Sequence, residues 1–358
     1  MKKKVLLMGA SGSGKTSMRS LIFSNNPASL TARLGATIDV EQNHVRFLGD
    51  LILNLWDCGG QDAFMDSYLS TQQSTIFQHV GVLIYVFEVE SRNREKDLEY
   101  YRNCLDALRR YSPDASIFLL VHKMDLARPP REQVLERKAE ELRQVSGDVP
   151  VTVYGTTIHD ESLYKAWSGI VHTLIPNASV LSRHLAILAH ACSATEVILF
   201  ERTTFLVIAT SNPPAAPSFS APPLITSTPS SSFTSNGFTS TSTSTSTRTT
   251  STATVTSQHA VNVPEPREND PHQLAPTRYE RTSELIKAFK YSCSRVREEF
   301  HALEMELGEF TAVLDELTRN TYVLIVVHDP TIETAALRMN IRLARQKFEE
   351  LQGDSLIS

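Results

Sequence analysis

The sequence predicts an α/β fold in which a mixed, mostly parallel sheet is followed by a smaller α+β unit. Three observations lead there. Over residues 1–176, short apolar runs alternate with amphipathic stretches of helical period, the pattern of a parallel sheet covered by helices on both faces. Strand-like and helical patterns resume over 177–210 and 278–358. Between them, residues 211–277 turn Pro-rich and then Ser/Thr-rich, with "TSTSTSTSTRTTSTATVTS" (239–257) at the centre. So little apolar surface cannot offset the entropy of ordering, so a disordered insertion in the second unit is expected.

Taken in order, the strand-like runs are "KKVLLMG" (3–9), "HVRFLG" (44–49), "LILNLWD" (51–57), "GVLIYVFEV" (81–89), "SIFLLVHK" (116–123) and "PVTVYGTT" (150–157). Helical patterns cover "KTSMRSLIF" after the first run, then 93–111, 131–146 and 161–174. The second and third runs are joined by Gly49-Asp50 and read as a hairpin. That places one antiparallel strand at the edge of a parallel sheet. The second unit begins with a helix over 180–192 and strands over 196–201 and 203–210. Beyond the insertion come a helix over 282–300, strands over 311–317 and 321–329, and a last helix over 331–352. Two strands on either side of the insertion predict one small domain that it interrupts.

The chain has 358 residues, enough for two domains, and a formal net charge of −5, without the basic excess that duplex nucleic acid selects. Its four cysteines, Cys58, Cys104, Cys192 and Cys293, never form a CxxC pair. That argues against a zinc or dithiol site and fits a reducing cytosol. The longest apolar runs, such as "TYVLIVV" (321–327), suit strands rather than membrane spans. The apolar part of "MKKKVLLMGASG" is too short for a signal peptide. Lys2 excludes N-myristoylation and "GDSLIS" holds no prenylation cysteine. Membrane attachment, if any, is expected through a partner.

The chemistry starts at Gly9-Ala-Ser-Gly-Ser-Gly14-Lys15-Thr16, which fits GxxxxGK[ST] between a strand and a helix. Glycines let backbone N–H groups converge on phosphate oxygens, and the helix presents its positive end to them. Lys15 can neutralise the outer phosphates and Thr16 can ligate Mg²⁺. The strand end "NLWDCGGQD" (54–62) adds Asp57, placed to hold Mg²⁺ through water, Gly60, whose N–H can meet a γ-phosphate, and Gln61, placed to orient an attacking water. "LGATIDVE" (34–41) offers Thr37 to close over the γ-phosphate and Mg²⁺. "LLVHKMD" (119–125) selects the base: guanine shows two adjacent donors that Asp125 can accept, while Lys123 packs its stem along the ring. His122 stands where the usual guanine motif has Asn, so its tautomer matters. In "YGTTIHD" (154–160) the backbone near Thr157-Ile158 is a weaker candidate for the same base.

Together these residues resemble the Rag family of small GTPases, closer to its A/B branch than to its C/D branch. The strings "RLGATIDVEQNHVRFLGDLILNLWDCGGQDAF" (33–64) and "LYKAWSGIVHTLIPN" (163–177) carry the likeness, which covers residues 1–210 and about 278–358. The family's own histidine at the guanine motif matches His122. The resemblance implies a P-loop GTPase domain over 1–176 and a roadblock-like dimerisation domain over 177–210 and 278–358. It implies GTP/GDP and Mg²⁺ as cofactors. It carries nucleotide contacts onto Ser11, Gly12, Gly14, Lys15, Thr16, Ser17, Thr31, Thr37, Gly60, His122 and Asp125, and more loosely onto Leu142 and Ile158. The partners it implies are a Rag C/D-type subunit, a lipid-anchored scaffold at the vacuole or lysosome, a GTPase-activating protein and the target-of-rapamycin kinase complex, to which amino-acid sufficiency is signalled.

Two other readings fare worse. A metabolic P-loop kinase needs a basic substrate lid, and none stands out. A scaffold that never hydrolyses is at odds with intact Lys15, Thr16, Asp57 and Gln61.

Overall fold

In the computed structural model, residues 2–46, 51–175, 178–212 and 278–354 are described. The first sheet is built from β1 (Lys2–Gly9), β2 (Val40–Arg46), β3 (Ile52–Cys58), β4 (Val80–Glu88), β5 (Ser116–His122) and β6 (Val151–Thr156). Its order is β2-β3-β1-β4-β5-β6, and β2 alone runs antiparallel, against β3. The helices of this part are α1 (Lys15–Phe23), α2 (Ala28–Thr31), α3 (Asp62–Leu69), α4 (Gln73–Phe77), α5 (Arg94–Tyr111), α6 (Arg131–Ser146) and α7 (Ser162–Leu174). The continuous apolar run in β1 follows from burial on both faces. Val5 and Leu7 join a core with Met18 and Ile22 of α1 and Trp167 of α7, while Leu6 and Met8 join a second core with Tyr101 of α5 and Leu142 of α6.

The second sheet contains β7 (Glu196–Glu201), β8 (Val207–Thr210), β9 (Leu303–Glu306), β10 (Thr311–Thr318) and β11 (Thr321–Val327), in the order β8-β7-β11-β10-β9. All its pairings are antiparallel. Helices α8 (Ala178–Ala191), α9 (Arg278–Arg295) and α10 (Thr334–Asp354) complete it. One apolar cluster runs from α7 into the second sheet, through Leu163 and Trp167 to Leu199, Leu206 and Val323. Val207 N also donates to Ser168 Oγ of α7 at 3.1 Å.

Several expectations are corrected. The sheet has three strands after the insertion, not two, because β9 was missed: its "LEME" alternates half-buried and exposed residues at an edge. The strand predicted over 203–210 starts only at Val207, since the buried Glu201 carboxylate accepts from Thr203 N at 2.9 Å and from Thr204 N and Oγ1 at 2.6 Å, folding 201–204 into a turn. The helix predicted over 282–300 lies earlier, at Arg278–Arg295, and the last helix starts at Thr334. The hairpin pairs Val40–Arg46 with Ile52–Cys58 as an edge, while its expected Gly49-Asp50 turn lies outside the described residues, as does most of the insertion. Among the described residues, no helix is long and apolar enough to cross a membrane.

Candidate nucleotide site

Strand β1 lies between β3 and β4, so the connections leaving it and its neighbours open a crevice at the C-terminal ends of the parallel strands. A cavity of about 240 Å³ lies there. Its lining includes Ser11, Gly12, Gly14, Lys15, Thr16 and Ser17 from the loop after β1 and the start of α1. Thr37, Gly60 and Gln61 close the opposite side. Gly14 is the N-cap of α1, with φ 97° and no side-chain cap, so the first N–H groups of the helix are left for an anion. Glycine is required at this position: a Cβ would stand 2.6 Å from the His122 ring. Gly60 is constrained by close approach instead, since a Cβ would meet Ser11 N at 2.4 Å. Ser11 N also donates to Gly60 O at 2.8 Å, binding the two loops together.

The Lys15 ammonium is buried and donates to Gly9 O at 2.8 Å and Ala10 O at 2.9 Å. Burial pulls its pKa down to about 8, with Asp57 opposing. A phosphate chain would add to the negative charge that Asp57 already sets near it. Beside it, Thr16 Oγ1 and Thr37 Oγ1 are 2.6 Å apart, and Thr16 Oγ1 donates to Asp57 Oδ2 at 3.2 Å. Asp57 is fully buried, which raises its pKa; Oδ1 accepts no hydrogen bond, while Oδ2 also accepts from Arg19 Nε at 3.0 Å. Two hydroxyls and a carboxylate with a buried, unpartnered oxygen fit Mg²⁺, which favours a few protein oxygens plus phosphate and water over a closed cage. Among the described residues no cluster of three His, Cys, Asp or Glu groups offers such a cage. Gln61 Oε1 is likewise buried without a partner at the cavity wall.

At the base end, β5 and β6 lie side by side, and His122 pairs with Thr156 across them. His122 Nδ1 lies 2.9 Å from Thr156 Oγ1, and burial lowers its pKa to about 4, so the imidazole is neutral. Asp125 follows in a 3₁₀ turn, where Thr157 Oγ1 donates to its Oδ1 at 2.6 Å. Burial is the largest single influence on Asp125 and raises its pKa, but the Thr157 hydrogen bond, a backbone hydrogen bond and the nearby His159 and His122 together outweigh it, and the net shift is down. An anionic carboxylate is the acceptor that paired guanine donors need.

The family model described as the Gtr1/RagA G protein conserved region matches residues 4–225 of this chain. The chain belongs to that family. It is 46% identical over 356 residues to the GTP-binding protein gtr1 of Schizosaccharomyces pombe, covering 99% of this chain and 98% of that one. With the Ras-related GTP-binding protein A of Dictyostelium discoideum it shares 44% over 351 residues, 98% of each chain. A more distant relative is the GTP-binding protein GTR2 of Saccharomyces cerevisiae, 30% identical over 227 residues, 60% of this chain and 63% of that one. This Gtr1/RagA-family chain therefore binds GTP and GDP and is a GTPase.

Five residues carried over from the Rag likeness do not line the phosphate cavity: His122 and Asp125, at the base end, and Thr31, Leu142 and Ile158. Thr31 is buried at the end of α2, where its hydroxyl donates to Ala28 O at 2.7 Å. Leu142 packs in the core beneath α6. Ile158 packs its side chain against the core shared with α7. Lys123 reaches Glu88 at 2.9 Å. Conversely, sequence reasoning missed Leu34, Gly35 and Ala36 in the cavity wall and the chain Glu41–Arg19–Asp57, in which Arg19 Nη2 meets Glu41 at 2.6 Å. The available signal was spacing: Arg19 is four residues from Lys15, hence on the same face of α1.

Proposed function

We propose that this chain is a GTP-binding switch with slow intrinsic hydrolysis, working as a heterodimer with a Rag C/D-type subunit. The observation behind the switch is the contact of Thr37 with Thr16 beside Asp57: a residue of the mobile-loop class in GTPases meets the loop that would hold the cation. Lys15 and the N–H groups opening α1 bind the phosphates. Thr16, Thr37 and, through water, Asp57 would hold Mg²⁺, which when bound neutralises charge developing on the β- and γ-oxygens. Gly60 senses the γ-phosphate, Gln61 orients water, and Asp125 reads the guanine edge. Arg19, the arginine beside this cluster, is committed to Asp57 and Glu41. An activating protein would supply the missing cation, worth about 10³–10⁵ in rate when it is an arginine.

The partner reading is supported by relatives of the GTR2 type, which match over about three fifths of this chain. The second sheet with its helices would serve as the roadblock-like dimerisation domain, over 177–210 and 278–358, with 211–277 as its insertion. The Rag likeness extends the proposal to amino-acid signalling through the target-of-rapamycin complex, on a lipid-anchored scaffold at the vacuole or lysosome. Co-purification from cells with mass spectrometry of the bound nucleotide tests it: a Rag C/D-type chain with GTP or GDP is expected, and a lone chain holding ATP overturns it.

A further inference from the structure

Helix α1 has two ends, and the nucleotide occupies one. At the other end, the last carbonyls of a helix lack intrahelical donors and carry its negative pole. Helix α1 has no basic residue in its own last turn. The cation comes from α9: Lys287 Nζ donates to Leu21 O and Ile22 O, both at 2.6 Å. Lys287 is 6% exposed, an expensive place for an ammonium unless its partners require it.

Packing alone does not join these elements here. A cavity of about 300 Å³ flanks the contact, lined by Leu21, Asn25, Ile158, Tyr164, Glu284 and Tyr291. Lys287 reaches past this gap along the Tyr164 ring, whose centroid is 5.5 Å from Nζ. The charged groups near it are Glu201 from β7, Lys290 and Glu284 along α9, and from α1 only the two carbonyls. Burial lowers the Lys287 pKa to about 7, with Glu201 raising it and Lys290 lowering it. Neutral or charged, the group keeps the two N–H donors this contact uses.

We infer that Lys287 is a positioning residue for the nucleotide site: it clamps the C-terminal end of the helix whose N-terminal end presents Lys15 and Thr16. The nine residues of α1 form a rod of about 13 Å. Tilting its far end moves the phosphate-binding end with it. Retention of nucleotide is thereby tied to α9, a helix of the second unit that also meets α7 through Tyr164. The clamp goes beyond the switch proposed above and relies only on guanine-nucleotide binding by the family.

The test is the release rate of a fluorescent GDP from the full chain with Mg²⁺ in excess. Lys287→Met keeps the stem and removes the donors; release about tenfold faster than wild type is expected. Lys287→Arg restores donors and charge, with room in the adjoining cavity, and should return release to within about threefold of wild type. A folded Lys287→Met that releases at the wild-type rate overturns the clamp, and so do Arg and Met variants that release equally fast. Should the Met variant not fold, hydrogen exchange on the wild type decides. Loading nucleotide onto stripped protein should slow exchange severalfold at residues 286–291 of α9; unchanged exchange there refutes the clamp.

Discussion

Two carboxylates at the ends of β7 in the second sheet and two polar groups at the nucleotide cavity of the first are satisfied in different ways. In the second, carboxylates are consumed locally: Glu201 accepts from Thr203 and Thr204, and Glu196 from Arg278 and Tyr279. In the first, Asp57 Oδ1 and Gln61 Oε1 are buried without partners. Topology underlies the contrast. Parallel strands deliver the ends of β1, β3, β5 and β6 to one edge, where loops converge on a ligand, whereas antiparallel strands alternate their ends and spread their turns. A buried polar atom left without a partner beside a cavity is a place where a ligand can complete the hydrogen bonding, as at Asp57 and Gln61.

The sharpest way to break this contrast is Gln61→Leu. If the orphaned amide orients water, the variant should lose about 10²–10⁴-fold of hydrolysis in the presence of an activating protein. Single-turnover GTP hydrolysis measures it, and an unchanged rate would remove Gln61 from the mechanism. Next comes Lys15→Met, which deletes a charge-assisted bond to phosphate worth roughly 3 kcal/mol, or about a hundredfold in nucleotide affinity. Calorimetric titration with GDP reads the affinity, and hydrogen exchange in β7 and β11 should stay at wild-type levels. Loss of protection in those strands would mean that the two regions do not stand apart.

His122 sits between the two behaviours, as a buried polar group of the first sheet that is satisfied by Thr156. Its pKa is near 4 in the fold, below its ordinary value of 6.5. The unfolded chain therefore takes up the proton first as pH falls through that window. Stability from this group is complete above about 6.5 and is lost toward 4. Urea unfolding at pH 7 and pH 4.5 should show wild type losing about 2–3 kcal/mol more than His122→Asn. Equal losses would show that the imidazole is not held neutral.

The same division decides what the sequence discloses. Contiguous strings are legible: the loop from Gly9 to Thr16 and the string that carries Gly60 and Gln61 are each short, and the fold brings residues of both to one cavity. The first sheet is legible because strands buried on both faces give unbroken apolar runs. What escapes depends on register or on a single side chain. The Arg19 bridge needs β2 to bring Glu41 opposite Asp57, and the late start of β8 needs the Glu201 carboxylate to draw 203–204 into a turn. The edge strand β9 escapes because half its residues face solvent. Leu142 is assigned to the nucleotide by family likeness, yet its place in α6 is set by the core.

The smallest effect probes the satisfied side of the comparison. Arg278 Nε donates to Glu196 Oε1 at 2.7 Å, and Tyr279 OH donates to the same oxygen at 3.2 Å. The pair joins the start of α9 to the start of β7, next to the ends of the insertion. Arg278→Met removes both guanidinium donors, Nε and Nη2, and leaves Tyr279 on a carboxylate whose side chain is only 9% exposed. Because the arginine is about a third exposed, solvent screens part of the loss, and a cost of about 1–2 kcal/mol in urea unfolding is expected. Nucleotide affinity should be unchanged, since this end of α9 is more than two turns from Lys287 and its contact with α1. A loss of affinity equal to the loss of stability would mean that the whole of α9, not one lysine, holds the phosphate-binding helix in place.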